Sequence, residues 1–124
     1  MTTLAVVAAI TAGALHVGFF LLEAVFFMKP SVYRLFGARD HGTAESQRIL
    51  MINQGFYNLA LGAGAIGGAI IFANDHSETT LIRFACAFMV AAAVMLMATL
   101  PRAWKGALVQ GLPPLIALAA MVAS

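Results

Sequence analysis

Apolar residues run through this chain in four long stretches separated by short polar turns. The first stretch covers about 4–28 and is interrupted only by His16 and Glu23. An apolar helix of about 20 residues crosses a bilayer, so this run predicts one tilted span. Lys29-Pro30 is predicted to stop it. In the mixed piece that follows, Val32, Tyr33, Leu35 and Phe36 flank Arg34, and Gly37 and Gly42 interrupt the pattern. That arrangement predicts a short interfacial helix and then a turn. A second span is expected over 46–73, and a polar turn over 74–80 offers Asn74 or Asp75 as a helix cap. The third span covers 81–100 and ends at Pro101, before a turn carrying Arg102, Trp104 and Lys105. The fourth covers 106–124, with a kink expected at Pro113-Pro114. The pattern thus predicts an all-α integral membrane protein. It is an antiparallel four-helix bundle forming a single transmembrane domain over 1–124, with the interfacial segment between helices 1 and 2.

Composition sharpens this. Of 124 residues, 62% are hydrophobic and only 10% are charged, with a mean hydropathy of +0.94. A water-soluble domain of this size cannot bury that much apolar surface. The lipid bilayer is therefore the expected partner. The formal net charge is +2, and the basic residues sit in turns with no interleaved basic-aromatic face, which argues against nucleic acid. Lys29, Arg34, Arg39, Arg48, Arg102 and Lys105 fall in the turns after the first and third spans, and Arg83 alone falls on the other side. By the positive-inside rule both termini then face away from the cytoplasm. No stretch pairs a basic start with a small-residue cleavage site, and the first run is longer than a leader's apolar core, so it is expected to be retained. Cys86 is the single cysteine and reads as a small buried apolar residue.

Polar groups inside the spans carry the candidate chemistry. Glu23 is the only acid deep in an apolar run. Charged side chains there cost about 2.5–3.5 kcal/mol on insertion scales, and they face the bundle interior and take partners. His16 and Glu23 are seven positions apart, on one helical face but roughly 10 Å apart along the axis. Something must lie between them. Ile52-Asn53-Gln54-Gly55-Phe56-Tyr57-Asn58 opens the second span at matching depth. Asn53 with Tyr57, and Gln54 with Asn58, are i, i+4 pairs forming two adjacent polar stripes. Gln110 enters the fourth span about as deep as Glu23, and Pro113 and Pro114 leave the carbonyls of Val109 and Gln110 without their helical donors. The expected ligand-binding set is His16, Glu23, Asn53, Gln54, Tyr57, Asn58 and Gln110, in a polar pocket of the cytoplasmic half. Gln110, Asn53 and Asn58 read equally as interhelical hydrogen-bonding groups, Tyr57 as a packing aromatic, and His16 as a hydrogen-bonded core residue.

Glu23, His16 and Tyr57 are the candidates for proton transfer. No metal site is expected: one His and one Glu fall short of a carboxylate-bridged set, and His41 and His76 lie in turns on opposite sides. No pattern supports a nucleophile, and no cofactor motif is present. Gly62, Gly64, Gly67 and Gly68 form a small-residue face, with Gly64 and Gly68 in GxxxG spacing. A second copy, or a larger membrane complex, is expected to dock there.

The order His16…Glu23, then Asn53-Gln54-Gly55-Phe56-Tyr57-Asn58, then Thr99 and Gln110…Pro113, resembles the small bacterial membrane family known as domain of unknown function 1304. The resemblance covers nearly the whole chain and is carried most specifically by the Asn-Gln-Gly-aromatic-Tyr-Asn run. It implies four transmembrane helices of this length and a bacterial cytoplasmic (inner) membrane location. Phe56 stands where a smaller aliphatic residue is expected, and Pro114 where Ala is expected. Neither touches the polar set. The resemblance implies no activity. Three functions fit the residues: binding or transport of a small amphipathic, lipid-like molecule headed at Glu23; intramembrane acid–base catalysis on a lipid, quinone or terpenoid; or an accessory role in a membrane complex.

Overall fold

A computed structural model of the protein describes residues 1–123. Its elements are α1 (Thr2–Phe20), a π-helical turn (Leu21–Val25), α2 (Pro30–Leu35), α3 (His41–Asn74), α4 (Thr80–Thr99), a 3-10 turn (Pro101–Ala103) and α5 (Trp104–Val122). All regular structure among the described residues is helical. Four helices, Thr2–Val25 with its π-helical end included, are long and apolar enough to cross a membrane. The chain divides into two compact units. Met1–Leu15 and the chain from Leu61 onward form one, and His16–Ala60 forms the other.

The first unit is built on small side chains. Ala5 and Ala9 of α1, Ala69 of α3, Ile82 and Cys86 of α4, and Ala117 of α5 are fully buried in one cluster that draws on four helices. A second layer adds Ala12, Ala65, Ala85 and Met89. Large residues such as Ile70, Phe84, Val94 and Leu112 point outward instead. Small-inside, large-outside packing suits a lipid solvent, where burial of apolar bulk drives nothing and close backbone approach gains dispersion contacts. Gly68 marks the closest approach. A Cβ there would stand 2.6 Å from the backbone nitrogen of Ile82. Gly64 faces Leu81 and Ala85 of the same helix. Gly13 lies against Ile66 and the carbonyl of Gly62. Within this unit Gly64 and Gly68 thus face α4 and the Gly62 carbonyl meets α1, while Gly67 has open space around it.

The second unit has a different core. Phe27, Tyr33, Ala38 and Ala44 pack together, with Met28 and Met51 against them. The expected short helix is α2. Pro30 does not end the preceding span but opens α2 at its first turn, where proline's missing N–H costs nothing. The first span has already left α-helical geometry at Leu21. Gly37, with φ of 94°, supplies the left-handed residue that closes the turn after α2. Gly42 breaks nothing, because α3 starts at His41 and not near 46. Asp40 is the reason: its carboxylate accepts the N–H of Thr43 at 2.8 Å and caps the helix.

One further expectation changes at a turn of the first unit. Asp75 does not cap α4; it accepts the N–H and hydroxyl of Ser77 at 3.0 and 2.7 Å, an Asx turn. Asn74 closes the end of α3 by donating to the Ile70 carbonyl. The helical run of α5 continues through Pro113 and Pro114 without a break.

Candidate functional site

Glu23 lies in the π-helical turn, where the N–H of Phe26 donates to the carbonyl of Leu21 at 2.9 Å. Such i→i+5 turns are rare, appear as single turns within α-helices and are frequent at functional positions. Here the turn changes the arithmetic of the span. With one extra residue per turn, the seven-residue spacing from His16 no longer sets the direction in which Glu23 points. The carboxyl side chain is 2% exposed.

Two amides from α3 reach it. Gln54 donates through Nε2 to Oε2 of Glu23, and Asn58 donates through Nδ2 to Oε1. Each carboxyl oxygen thus accepts from a different turn of the same helix, as the i, i+4 spacing of Gln54 and Asn58 allows. Gly55 makes the reach short. A Cβ at that position would fall 2.9 Å from Cβ of Ala24, 3.1 Å from its nitrogen and 3.3 Å from the carbonyl of Phe20. Bare glycine therefore lets α3 lie against the backbone beside Glu23 while its neighbours close on the acid. The Asn-Gln-Gly-aromatic-Tyr-Asn run has a mechanical sense: glycine seats the helix, and Gln54 and Asn58 hold the carboxylate.

The remaining candidates are placed as follows. His16 is fully buried, with its ring edge-on to Phe19 at 5.0 Å. Asn53 turns away from the acid and donates to the Ile49 carbonyl one turn back on its own helix at 3.0 Å. This back-bond satisfies one amide N–H within the helix itself. Tyr57 is 70% exposed. Of the two polar stripes read in the sequence, the Gln54–Asn58 stripe meets Glu23. The Asn53–Tyr57 stripe lies outside that contact. Gln110 is half-buried on α5, in the other unit. Phe56 packs edge-on against Phe20, with ring centres 5.6 Å apart.

The family can now be tested against this geometry. The sequence profile described as "Protein of unknown function (DUF1304)" matches residues 9–122. The chain belongs to that family. The DUF1304 match takes in α1 from residue 9 onward, its π-helical turn and α3, and so every residue of the Glu23 contact. No curated protein and no solved structure matches the chain.

Chemically, a carboxyl group held by two amides is a hydrogen-bonding receptor. Each amide keeps a second N–H and a carbonyl oxygen beyond the bond to Glu23. Gln54 is exposed over the rest of its side chain, so one wall of the contact is open to whatever surrounds α3. Among the described residues, no three His, Cys, Asp or Glu side chains gather as metal ligands would. The π-helical turn is the feature that sequence reading missed. The run Leu21-Leu22-Glu23-Ala24-Val25 carries no proline, glycine or cap to announce it.

Proposed function

We propose that this DUF1304 protein is a multi-pass protein of the bacterial inner membrane that binds, or carries, a small amphipathic molecule by its polar head at Glu23. Gln54 and Asn58 orient the carboxyl group, and apolar helix surfaces accept the lipid-like remainder. The observation that carries this reading is the buried acid itself. A carboxyl group held within a membrane span is costly, and a structural role is met more cheaply by an amide or hydroxyl. Its seat in a π-helical turn supports the same reading. A head group rich in hydroxyl or amine donors fits a receptor whose central atoms are acceptors. The basic turns after the first and third spans support an orientation with both termini outside the cytoplasm.

The test is retention of native small molecules. Protein purified in mild detergent should carry a co-purifying amphipathic molecule detectable by mass spectrometry. Glu23→Gln and Glu23→Ala should each remain folded and lose it at least tenfold. Equal retention by both variants would overturn the reading. Turnover of the molecule that disappears in Glu23→Gln while its retention persists would favour acid–base catalysis at the same carboxyl group.

A further inference from the structure

Outside the Glu23 contact, the first unit contains an open apolar groove between α4 and α5, with a volume of about 400 Å³. Ligand sites commonly have volumes of about 300–1,000 Å³. One wall is a single face of α4, including Ala93, Met97 and Ala98, and the other is a single face of α5, including Leu108, Gly111 and Leu115. The floor is shallow at one level because Gly111 has no side chain: a Cβ there would meet that of Ala93 at 2.6 Å. The groove has no polar lining residue, so on its own it would accept any hydrocarbon chain. Its surroundings narrow the choice.

The groove ends at the turn joining its two helices, and that turn is basic. Arg102 lies in the 3-10 turn, and Trp104 and Lys105 open α5. Trp104 is one helical turn before Leu108, and Lys105 is one turn before Leu108 and two before Leu112, so both sit at the mouth of the groove on its own face. Nζ of Lys105 lies 5.6 Å from the Trp104 ring centre, which holds the ammonium beside the aromatic belt. No Asp or Glu follows Glu78 in the sequence, so nothing on these two helices or their turn neutralises the two cations. A hydrocarbon groove running into paired cations at the depth of a tryptophan has the polarity of one kind of molecule.

We propose that an anionic phospholipid binds along the α4–α5 hairpin, its phosphate at Arg102 and Lys105 and one acyl chain in the groove. This site belongs wholly to the first unit and does not rest on the reading of Glu23.

Trp104 is the only tryptophan in the chain, so its fluorescence reports this position alone. The protein is reconstituted in phosphatidylcholine vesicles containing, at equal mole fraction, either phosphatidylglycerol or phosphatidylcholine with brominated acyl chains, which quench on contact. Emission is referred to vesicles without bromine. Brominated phosphatidylglycerol should quench Trp104 well beyond brominated phosphatidylcholine. Arg102→Gln with Lys105→Gln should weaken the apparent preference by up to about thirtyfold, at roughly fivefold per cation. Ala98→Phe, which fills the groove from an exposed position and leaves both charges, should also reduce it. Circular dichroism on each variant confirms that the helices are intact. Equal quenching by the two lipids in the wild-type protein would overturn the proposal. So would a full preference retained in Ala98→Phe, which would mean headgroup attraction without a seated chain. Competition by inorganic phosphate at low millimolar concentration would overturn it too, by making the site one for a free anion.

Discussion

Gly68 and Gly55 lie thirteen residues apart on α3, and each brings that helix against a backbone, but in different units and for different ends. At Gly68 the surfaces that meet are α3 and the main chain of Ile82, within a cluster of alanines. At Gly55 the surface is Ala24, and the residues on either side of the contact are Gln54 and Asn58 reaching for an acid. The same device thus serves cohesion in one unit and positioning in the other. The difference teaches where each unit's tolerance lies. An alanine-packed contact has no directional partner to lose and fails only through overcrowding. The Glu23 contact can fail through a displaced angle while the helices remain packed.

The sharpest way to break this comparison is a methyl group at each glycine. Gly68→Ala should be the most damaging, because the nearest atoms are backbone at 2.6 and 2.8 Å and cannot rotate aside. A loss of about 3 kcal/mol is expected, the upper part of the overpacking range. Denaturation by sodium dodecyl sulfate in mixed micelles measures it. Gly67→Ala, where open space surrounds the new methyl, is the matched control and should be neutral or slightly stabilising. Equal effects at Gly67 and Gly68 would remove close approach as the explanation.

Gly55→Ala should cost less, about 1–2 kcal/mol, since its closest approach is 2.9 Å to the Ala24 methyl and its backbone neighbours stand at 3.1 and 3.3 Å. It should nevertheless abolish ligand retention, through displacement of Gln54 and Asn58. Adding Ala24→Gly removes that neighbouring methyl and should restore part of both losses. Rescue of stability without rescue of retention would separate packing from positioning at this glycine.

The smallest effect is expected at Asp40. The N–H of Thr43, and then its hydroxyl, hold the Asp40 carboxyl below its ordinary value. A group so lowered stabilises the fold above the ordinary value, about 3.9, and that contribution disappears as the pH falls through the folded value. Protection of the Thr43 amide, its exchange rate relative to the unstructured rate at the same pH, should therefore be present at neutral pH and fall locally below about pH 4. Amides deeper in α3 should not follow.

The spans were legible because a lipid solvent leaves a coarse signature: four apolar runs, each bounded by charge or proline. The start of α3 was less so. Polarity over His41–Arg48 resembles a loop, and the N–H of Thr43 donating to the Asp40 carboxylate caps it as helix. Glu23, Gln54 and Asn58 could be brought together on depth and spacing alone, since two antiparallel helices leave few other places for an acid to go. Asn53 and Tyr57 could not be separated from them that way. Depth says how far into the membrane a residue lies, and rotation about the helix axis says what it faces. Gly55 carries the rotational information, and its use became visible only with Ala24 lying against it. The glycine stripe over 62–68 shows the converse limit: spacing announces close packing but does not say whether the neighbour is another chain or the same one.

The length of α3 has a mechanical consequence. At about 1.5 Å per residue its 34 residues are more than the roughly 30 Å of hydrocarbon in a bilayer requires. Its charged side chains, Glu45 and Arg48, both lie in the first turns, and those turns form a polar foot. Between that foot and Gln54 the helix has no joint. The turns that carry Gln54 and Asn58 to Glu23 are thus continuous with the polar foot.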